Sequence, residues 1–221
     1  RPKPTTHRYS NIPMTSPSPQ QTVILLGGPT ASGKTSLALD MANRIGGAII
    51  NADAVQLYED FKILSARPND ADMDRAPHHL YGILPSDYQT TAAFWQDQAL
   101  NHITACHALN QIPILVGGTG FYLKVIQNGL PFIPPVPLDV QNHIESVLTN
   151  HGSVHLHGLL MAVDDGIARR IHPHDTQRIM RAYGVFISSG KPLSHWQKQQ
   201  GSRPLEKYAI VNYVLLPDKN I

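Results

Sequence analysis

The stretch that most limits what this chain can fold into is "TVILLGGPTASGKTSLA", Thr22 to Ala38. An apolar run of strand length ends in two glycines. Gly28, Gly33, Lys34 and Thr35 then occupy the fixed positions of G-x-x-x-x-G-K-[ST]. From Lys34 to Ile45 the apolar residues Leu37, Ala38, Met41, Ala42 and Ile45 recur at helical spacing. Strand, glycine-rich turn and helix in that order make an anion cradle, because backbone N–H groups converge on the positive end of a helix. The expected phosphate-binding residues are Gly28, Pro29, Thr30, Ala31, Ser32, Gly33, Lys34 and Thr35. Lys34 would bridge phosphate oxygens, Ser32 would add a hydrogen bond, and the Thr35 hydroxyl would meet Mg²⁺.

The chain beyond the cradle alternates between the two patterns. "GAIINAD" predicts a second buried strand that delivers Asp53 at its C-terminal end, and "HHLYGIL" a third. "TTAAFWQDQALNHITACHALN" predicts a helix capped by Thr90 or Thr91. "IPILVGG" is a strand running into a second glycine turn, and "TGFYLKVIQ" continues as helix. Such alternation argues for an α/β fold, a parallel sheet flanked by helices. After the proline-rich break "GLPFIPPVPLD" the chain reads as helical, until "EKYAIVNYVLLPD" returns to strand character. We therefore expect a flexible leader over 1–21, a core over 22–134 and 173–221, and a small helical insertion over 135–172.

Composition adds bounds. With 221 residues, 42% of them hydrophobic and 15% charged, the chain is ordinary for a globular protein. The net charge of +2 does not by itself declare a nucleic-acid partner, although basic residues outnumber acidic ones after Gly120. The single cysteine, Cys106, excludes an internal disulfide and a multi-cysteine zinc site, and reads as a small core residue. No apolar run reaches the ~18 residues of a membrane span. A reduced, cytoplasmic setting and a monomer are the expectations.

Hydrolysis of a nucleotide would call for an acid ending a neighbouring strand, to hold Mg²⁺ and position water. "IPILVGGTG" instead ends in Gly117, Gly118 and Thr119. A glycine pair admits close approach of another group, and Thr119 offers a hydroxyl at the strand edge where ligands sit in open α/β sheets. Asp53 emerges on the same edge as the cradle. It is open to three roles: binding Mg²⁺, acting as a general base, or capping a following helix. Gln56, three residues on, could face the same cavity. Gln177, Arg178 and Arg181 fall within one helical turn, a pairing of arginines suited to phosphate contact or to a plain surface. His151, His155 and His157 lack acidic or cysteine companions and read as surface residues rather than metal ligands.

Taken in order, "GPTASGKTSLA", "INADAVQLY", "ARPND", "APHHLYGIL", "PILVGGTGFYLKVIQNGL", "RIHPHDTQRIMRA" and "SGKPLSHWQ" resemble the motifs of the tRNA dimethylallyltransferase (tRNA isopentenyltransferase) family, from about Val23 to Pro217. The resemblance implies a P-loop NTPase-like fold whose loop grips the diphosphate of dimethylallyl diphosphate. The allyl carbon is then attacked by N6 of an adenine beside the tRNA anticodon. It implies that Asp53 accepts the N6 proton, that Thr119 hydrogen-bonds near the reacting groups, and that Lys34, Thr35 and Mg²⁺ stabilise the leaving diphosphate. It further implies tRNA contacts at Asp53, Ala54, Val55, Gln56, Gln177, Arg178 and Arg181, and an insertion that grips the anticodon stem. No acid is needed after "ILVGG", because no water is activated.

This chain departs from the family pattern in places. Ala54 stands where Ser is usual, "SARP" replaces "TAKP", "RAYG" replaces "RALE", and "VDDG" replaces "VDP". Lys219 sits near the usual position of a diphosphate-binding arginine and keeps the charge without the bidentate fork. The family's further C-terminal helices do not follow Ile221. Rival readings are an adenylate (AMP, ADP or ATP) isopentenyltransferase of cytokinin type, a small-molecule P-loop kinase, and a tRNA-binding protein without activity.

Overall fold

In a computed structural model, residues 22–61, 65–199 and 201–216 are described. The leader over 1–21 and Lys219 lie outside them. The chain divides into two units, one holding residues 22–123 and 205–216, the other 124–204.

The first unit is a five-stranded sheet of β1 (Thr22–Gly27), β2 (Gly47–Asn51), β3 (His78–His79), β4 (Ile112–Gly117) and β5 (Ala209–Val214), in the order β3-β2-β4-β1-β5. Every pairing is parallel. Strands buried on both faces carry continuous apolar runs, and β1 and β2 are buried at every residue. Side chains alternate across the pleat. Ile24, Leu26, Ile49, Ile114 and Val116 form one core with Ala38, Leu39 and Ala42 of α1 (Lys34–Ile45). The alternate residues Leu25, Ile50 and Leu115 are equally buried.

A short helix, α2 (Asp70–Met73), precedes β3. Then α3 (Ala92–Ala108) buries Trp95, Ala99, Ile103 and Cys106, with Thr91 as its N-cap accepting from the Phe94 N–H. Burial pushes the Cys106 thiol up to about 11. α4 (Gly120–Asn128) follows β4. The third strand is shorter than "HHLYGIL" suggests. Leu80 (φ 64°) and Gly82 (φ 59°) break the pleat, and the chain rejoins only through a bridge between Leu84 and Tyr58.

The second unit contains α5 (Leu138–Val163), α6 (Asp165–Ala168), α7 (Thr176–Ser189) and α8 (Leu193–Gln197). α5 is interrupted at Gly152, whose φ of 80° and ψ of 168° are not helical. Ile144, Leu156, Leu160, Ile179, Ala182 and Val185 make its core. Our sequence boundaries, which end the insertion at 172 and give α7 to the sheet unit, are therefore corrected. α7 packs on α5, and Gly184 makes this possible. A β-carbon there would meet Val136 Cγ1 at 2.9 Å and Ile144 Cδ1 at 3.2 Å. His157 is also not a surface residue. It is buried, and its Nε2 lies 3.0 Å from the Ala168 carbonyl and 3.1 Å from that of Ile171.

Candidate active site

The site begins where β1 stops. Gly28 takes a φ of 156°, and a β-carbon on it would run into the carbonyl of Leu215, whose own N–H donates to the Gly27 carbonyl (2.8 Å). Ala31 (φ 63°) and Gly33 (φ 84°) curl the loop back toward α1. Gly33 is the N-cap of α1 and supplies no side-chain cap, and the first turn holds no acid. The opening N–H groups of the helix thus keep the positive end of its dipole for an external anion. Lys34 Nζ arches over the loop, donating to the Pro29 carbonyl and lying 3.4 Å from Ser32 Oγ. Burial lowers the Lys34 pKa, and the Asp53 carboxylate partly opposes this.

β2 delivers Asp53 through a buried asparagine. Asn51 Oδ1 accepts the Asp53 N–H (2.8 Å), and its Nδ2 donates to the carbonyls of Asp53 and Leu80 (both 2.9 Å). Trp95 Nε1 donates to the Asn51 carbonyl (2.8 Å), so α3 also braces this strand end. One carboxylate oxygen of Asp53 accepts the Val55 N–H (3.0 Å) at the start of a single 3₁₀ turn, Val55–Leu57. The other faces Gly118, where a β-carbon would lie 3.3 Å away. Gly117 is the closer approach: a β-carbon there would overlap the backbone of Ala52. The two glycines ending β4 therefore let the turn carrying Asp53 close over the strand. Thr119 Oγ1 accepts the Ala54 N–H (3.1 Å) and pins the same turn.

These pieces surround a cavity of about 480 Å³. Thr30 to Thr35 form one wall, and Asp53, Gln56 and Gly118 lie among the others. Gly28 and Pro29 shape the loop without lining the cavity, and neither Thr119, Ala54 nor Val55 lines it. Val55 is half exposed. Gln56 Nε2 is engaged with the Ser65 carbonyl (2.8 Å). Gln177, Arg178 and Arg181 stand on α7 in the other unit.

Arg75 and Tyr81 also line the cavity and were not singled out from the sequence. Arg75 lies 3.6 Å from Asp40 and 3.8 Å from Asp72, so it is loosely paired. The N-x-x-D capping box of α2, Asn69 with Asp72, was the available signal that the chain turns here. Burial raises the Tyr81 hydroxyl pKa, with Asp53 adding to the effect, so the hydroxyl stays protonated. No group of three or more His, Cys, Asp or Glu among the described residues could hold a metal. The oxygens of Thr35 and Asp53 border one cavity, however, which is the hard, sparse donor set suited to a Mg²⁺ that keeps waters and binds substrate phosphates.

Among the described residues no helix is long and apolar enough to cross a membrane. The chain is similar to the tRNA dimethylallyltransferase of Rhodospirillum centenum, 42% identical over 90% of this chain and 63% of that protein. The counterpart from Azorhizobium caulinodans is 41% identical over 87% and 62%. The chain thus spans somewhat under two thirds of the curated relatives it matches. Among solved structures it is similar to a eukaryotic dimethylallyltransferase acting on tRNA, with a TM-score of 0.76, 24% identity and coverage of 90% of this chain and 49% of that one, a likeness of fold. The tRNA isopentenylpyrophosphate transferase of Bacillus halodurans gives a TM-score of 0.52 at 29% identity, covering 88% and 60%. A family model described as isopentenyl transferase matches residues 21–81. Another, described as IPP transferase, matches 56–221. With three quarters of its length under that model, the chain belongs to the IPP transferase family.

Proposed function

We propose that this chain carries the catalytic unit of a prenyltransferase that moves a dimethylallyl group from dimethylallyl diphosphate to N6 of an adenine beside the tRNA anticodon. The observation that carries the reading is the pairing, across one cavity, of a phosphate cradle with the Asp53 carboxylate at the end of β2, with glycines in place of a water-activating acid at the end of β4; the cavity's other carboxylate, Asp72, is paired with Arg75. In the step proposed, the N6 nitrogen forms a bond to the allylic carbon while the carbon–oxygen bond breaks. The diphosphate leaves with the electron pair, and the N6 proton passes to Asp53. Loop N–H groups and Lys34 bind the departing charge, which is where an allylic displacement needs most help. Mg²⁺, held by Thr35 and the diphosphate oxygens, would neutralise part of that charge. Arg75 supplies a second cation at the same cavity. Asn51 and Thr119 act as positioning residues, since both hold the turn that carries Asp53.

An adenine must leave its stack to reach such a cavity, and the tRNA partner implies a cytoplasmic setting. The test is incubation with labelled dimethylallyl diphosphate and Mg²⁺, offering either an unmodified anticodon stem-loop or AMP, followed by nucleoside analysis. N6-isopentenyladenosine in the stem-loop is the expected product. Prenylation of AMP alone would favour the cytokinin-type enzyme, and phosphoryl transfer from ATP without prenyl transfer would favour a kinase.

A further inference from the structure

Tyr81 borders the cavity, and the reaction outlined above gives it no task. Its ring packs against the core that contains Leu39 and Val116, which border the same cavity. The His78 ring meets it edge-on, with centroids 5.6 Å apart. These contacts fix the ring, while the hydroxyl makes no hydrogen bond to a described residue. Nor is the hydroxyl a sealed, unmet group, so it turns to the cavity. Burial and the Asp53 charge both hold it protonated. A ligand in the cavity therefore meets an O–H donor from Tyr81 and a carboxylate acceptor from Asp53.

The backbone sets these two groups against each other. The Asn51 amide holds Asp53 at both its N–H and its carbonyl. The same Nδ2 donates to the Leu80 carbonyl (2.9 Å), in the peptide bond that leads to Tyr81. Tyr81 stands between two residues of positive φ, Leu80 at 64° and Gly82 at 59°. A leucine in that region is strained, and such strain persists where surrounding contacts over-determine it, often at a ligand site. The Arg67 guanidinium packs where a β-carbon of Gly82 would stand, and the Gly82 N–H donates to the Gln56 carbonyl (2.9 Å). The break in β3 thus takes Tyr81 out of the pleat and delivers it to the cavity that Asp53 and Gln56 border.

An acceptor and a donor side by side complement the Watson–Crick edge of an extruded adenine, where the N6 amine stands next to the lone pair of ring N1. Guanine offers the reverse, with a carbonyl oxygen in place of the amine and an N–H in place of the lone pair. A carboxylate facing that carbonyl has no proton to give, and a buried polar group left unpaired is a strong basis for rejection. The diphosphate has its own donors in the loop N–H groups and Lys34, whereas Tyr81 is tied through Asn51 to Asp53.

We propose that Tyr81 is a specificity-determining residue that donates its hydroxyl proton in a hydrogen bond to N1 of the acceptor adenine while Asp53 accepts from N6. The proposal rests on the transferase reading and adds to it the group that tells adenine from other bases.

The experiment is a cycle that removes the hydrogen bond from either side. Wild type and Tyr81→Phe, which keeps the ring, are given anticodon stem-loop hairpins carrying adenosine or 1-deazaadenosine at the acceptor position. The deaza base keeps the N6 amine and replaces N1 with C–H. Transfer from labelled dimethylallyl diphosphate is measured as kcat/KM for the hairpin. Tyr81→Phe is expected to lower it on adenosine by roughly 3- to 15-fold, and the deaza base to lower it similarly in the wild type. Because both changes delete one contact, the deaza base should cost Tyr81→Phe less than about twofold more. Equilibrium affinity for dimethylallyl diphosphate should stay within about twofold of wild type. Wild-type kinetics in Tyr81→Phe overturn the proposal, as do losses that multiply in the cycle, or a loss matched by weaker binding of dimethylallyl diphosphate. In each of these cases the wild type still transfers, and the transferase reading stands. Absence of transfer by the wild type to the adenosine hairpin removes that reading and this proposal with it.

Discussion

Asn51 shows how much of the site depends on a residue that touches no substrate in our account. Its amide is fully engaged, fixing both ends of the Asp53 backbone and the Leu80 carbonyl. Thr119 performs the matching task from β4's end. Thr119→Val removes the acceptor of the Ala54 N–H, and we expect a loss of about 1 kcal/mol in denaturant unfolding. The same variant should lower kcat several-fold while leaving the affinity for dimethylallyl diphosphate near that of the wild type, a split that a merely structural defect would not give. Lys34 supplies a pH dependence. Burial lowers its pKa from the ordinary 10.5, so the folded protein releases this proton more readily than the unfolded chain. The cost of burying the charge therefore acts below the folded pKa and fades as pH rises through 10.5. Diphosphate binding needs the proton and runs the other way. Affinity for inorganic pyrophosphate, measured by calorimetry, should begin to fall at a pH below 10.5, and Lys34→Arg should move that limb upward.

At the scale of elements, periodicity marks α1 and α3 because each buries one coherent face, whereas β1 and β4 show as continuous apolar runs because both of their faces are covered. It overestimates β3, since two residues with positive φ interrupt a stretch whose composition is otherwise strand-like. It also misplaces α7. The amphipathic pattern of "TQRIMRAYGVFISS" announces a helix with an apolar face, but no local signal says which core that face meets. Gly184 holds that information in three dimensions only. Gly184→Ala would press on Val136 and Ile144, and we expect about 1–3 kcal/mol of destabilisation in thermal or denaturant unfolding. A variant as stable as the wild type would show that α5 and α7 can separate at little cost.

For the whole molecule, the sheet unit and the geometry of its glycine-rich loop were legible because the motif binds strand, turn and helix into one order, and parallel strands do the rest. Asp53 was legible as a position, at the end of a buried strand, though not as a role. Asn51, Arg75 and Tyr81 were not, because each joins the site through contacts distant in sequence, such as Asn51 with Leu80. The division of the chain at 123/124 and 204/205 was equally hidden. The central claim is that the cradle holds a leaving diphosphate while Asp53 takes a proton from the acceptor. Single-turnover transfer by Asp53→Asn, beside its equilibrium binding of dimethylallyl diphosphate, tests this most directly. The account predicts binding within about threefold of wild type and a transfer rate lower by roughly 10²- to 10⁴-fold. Transfer at near wild-type rate, with binding intact, would contradict it.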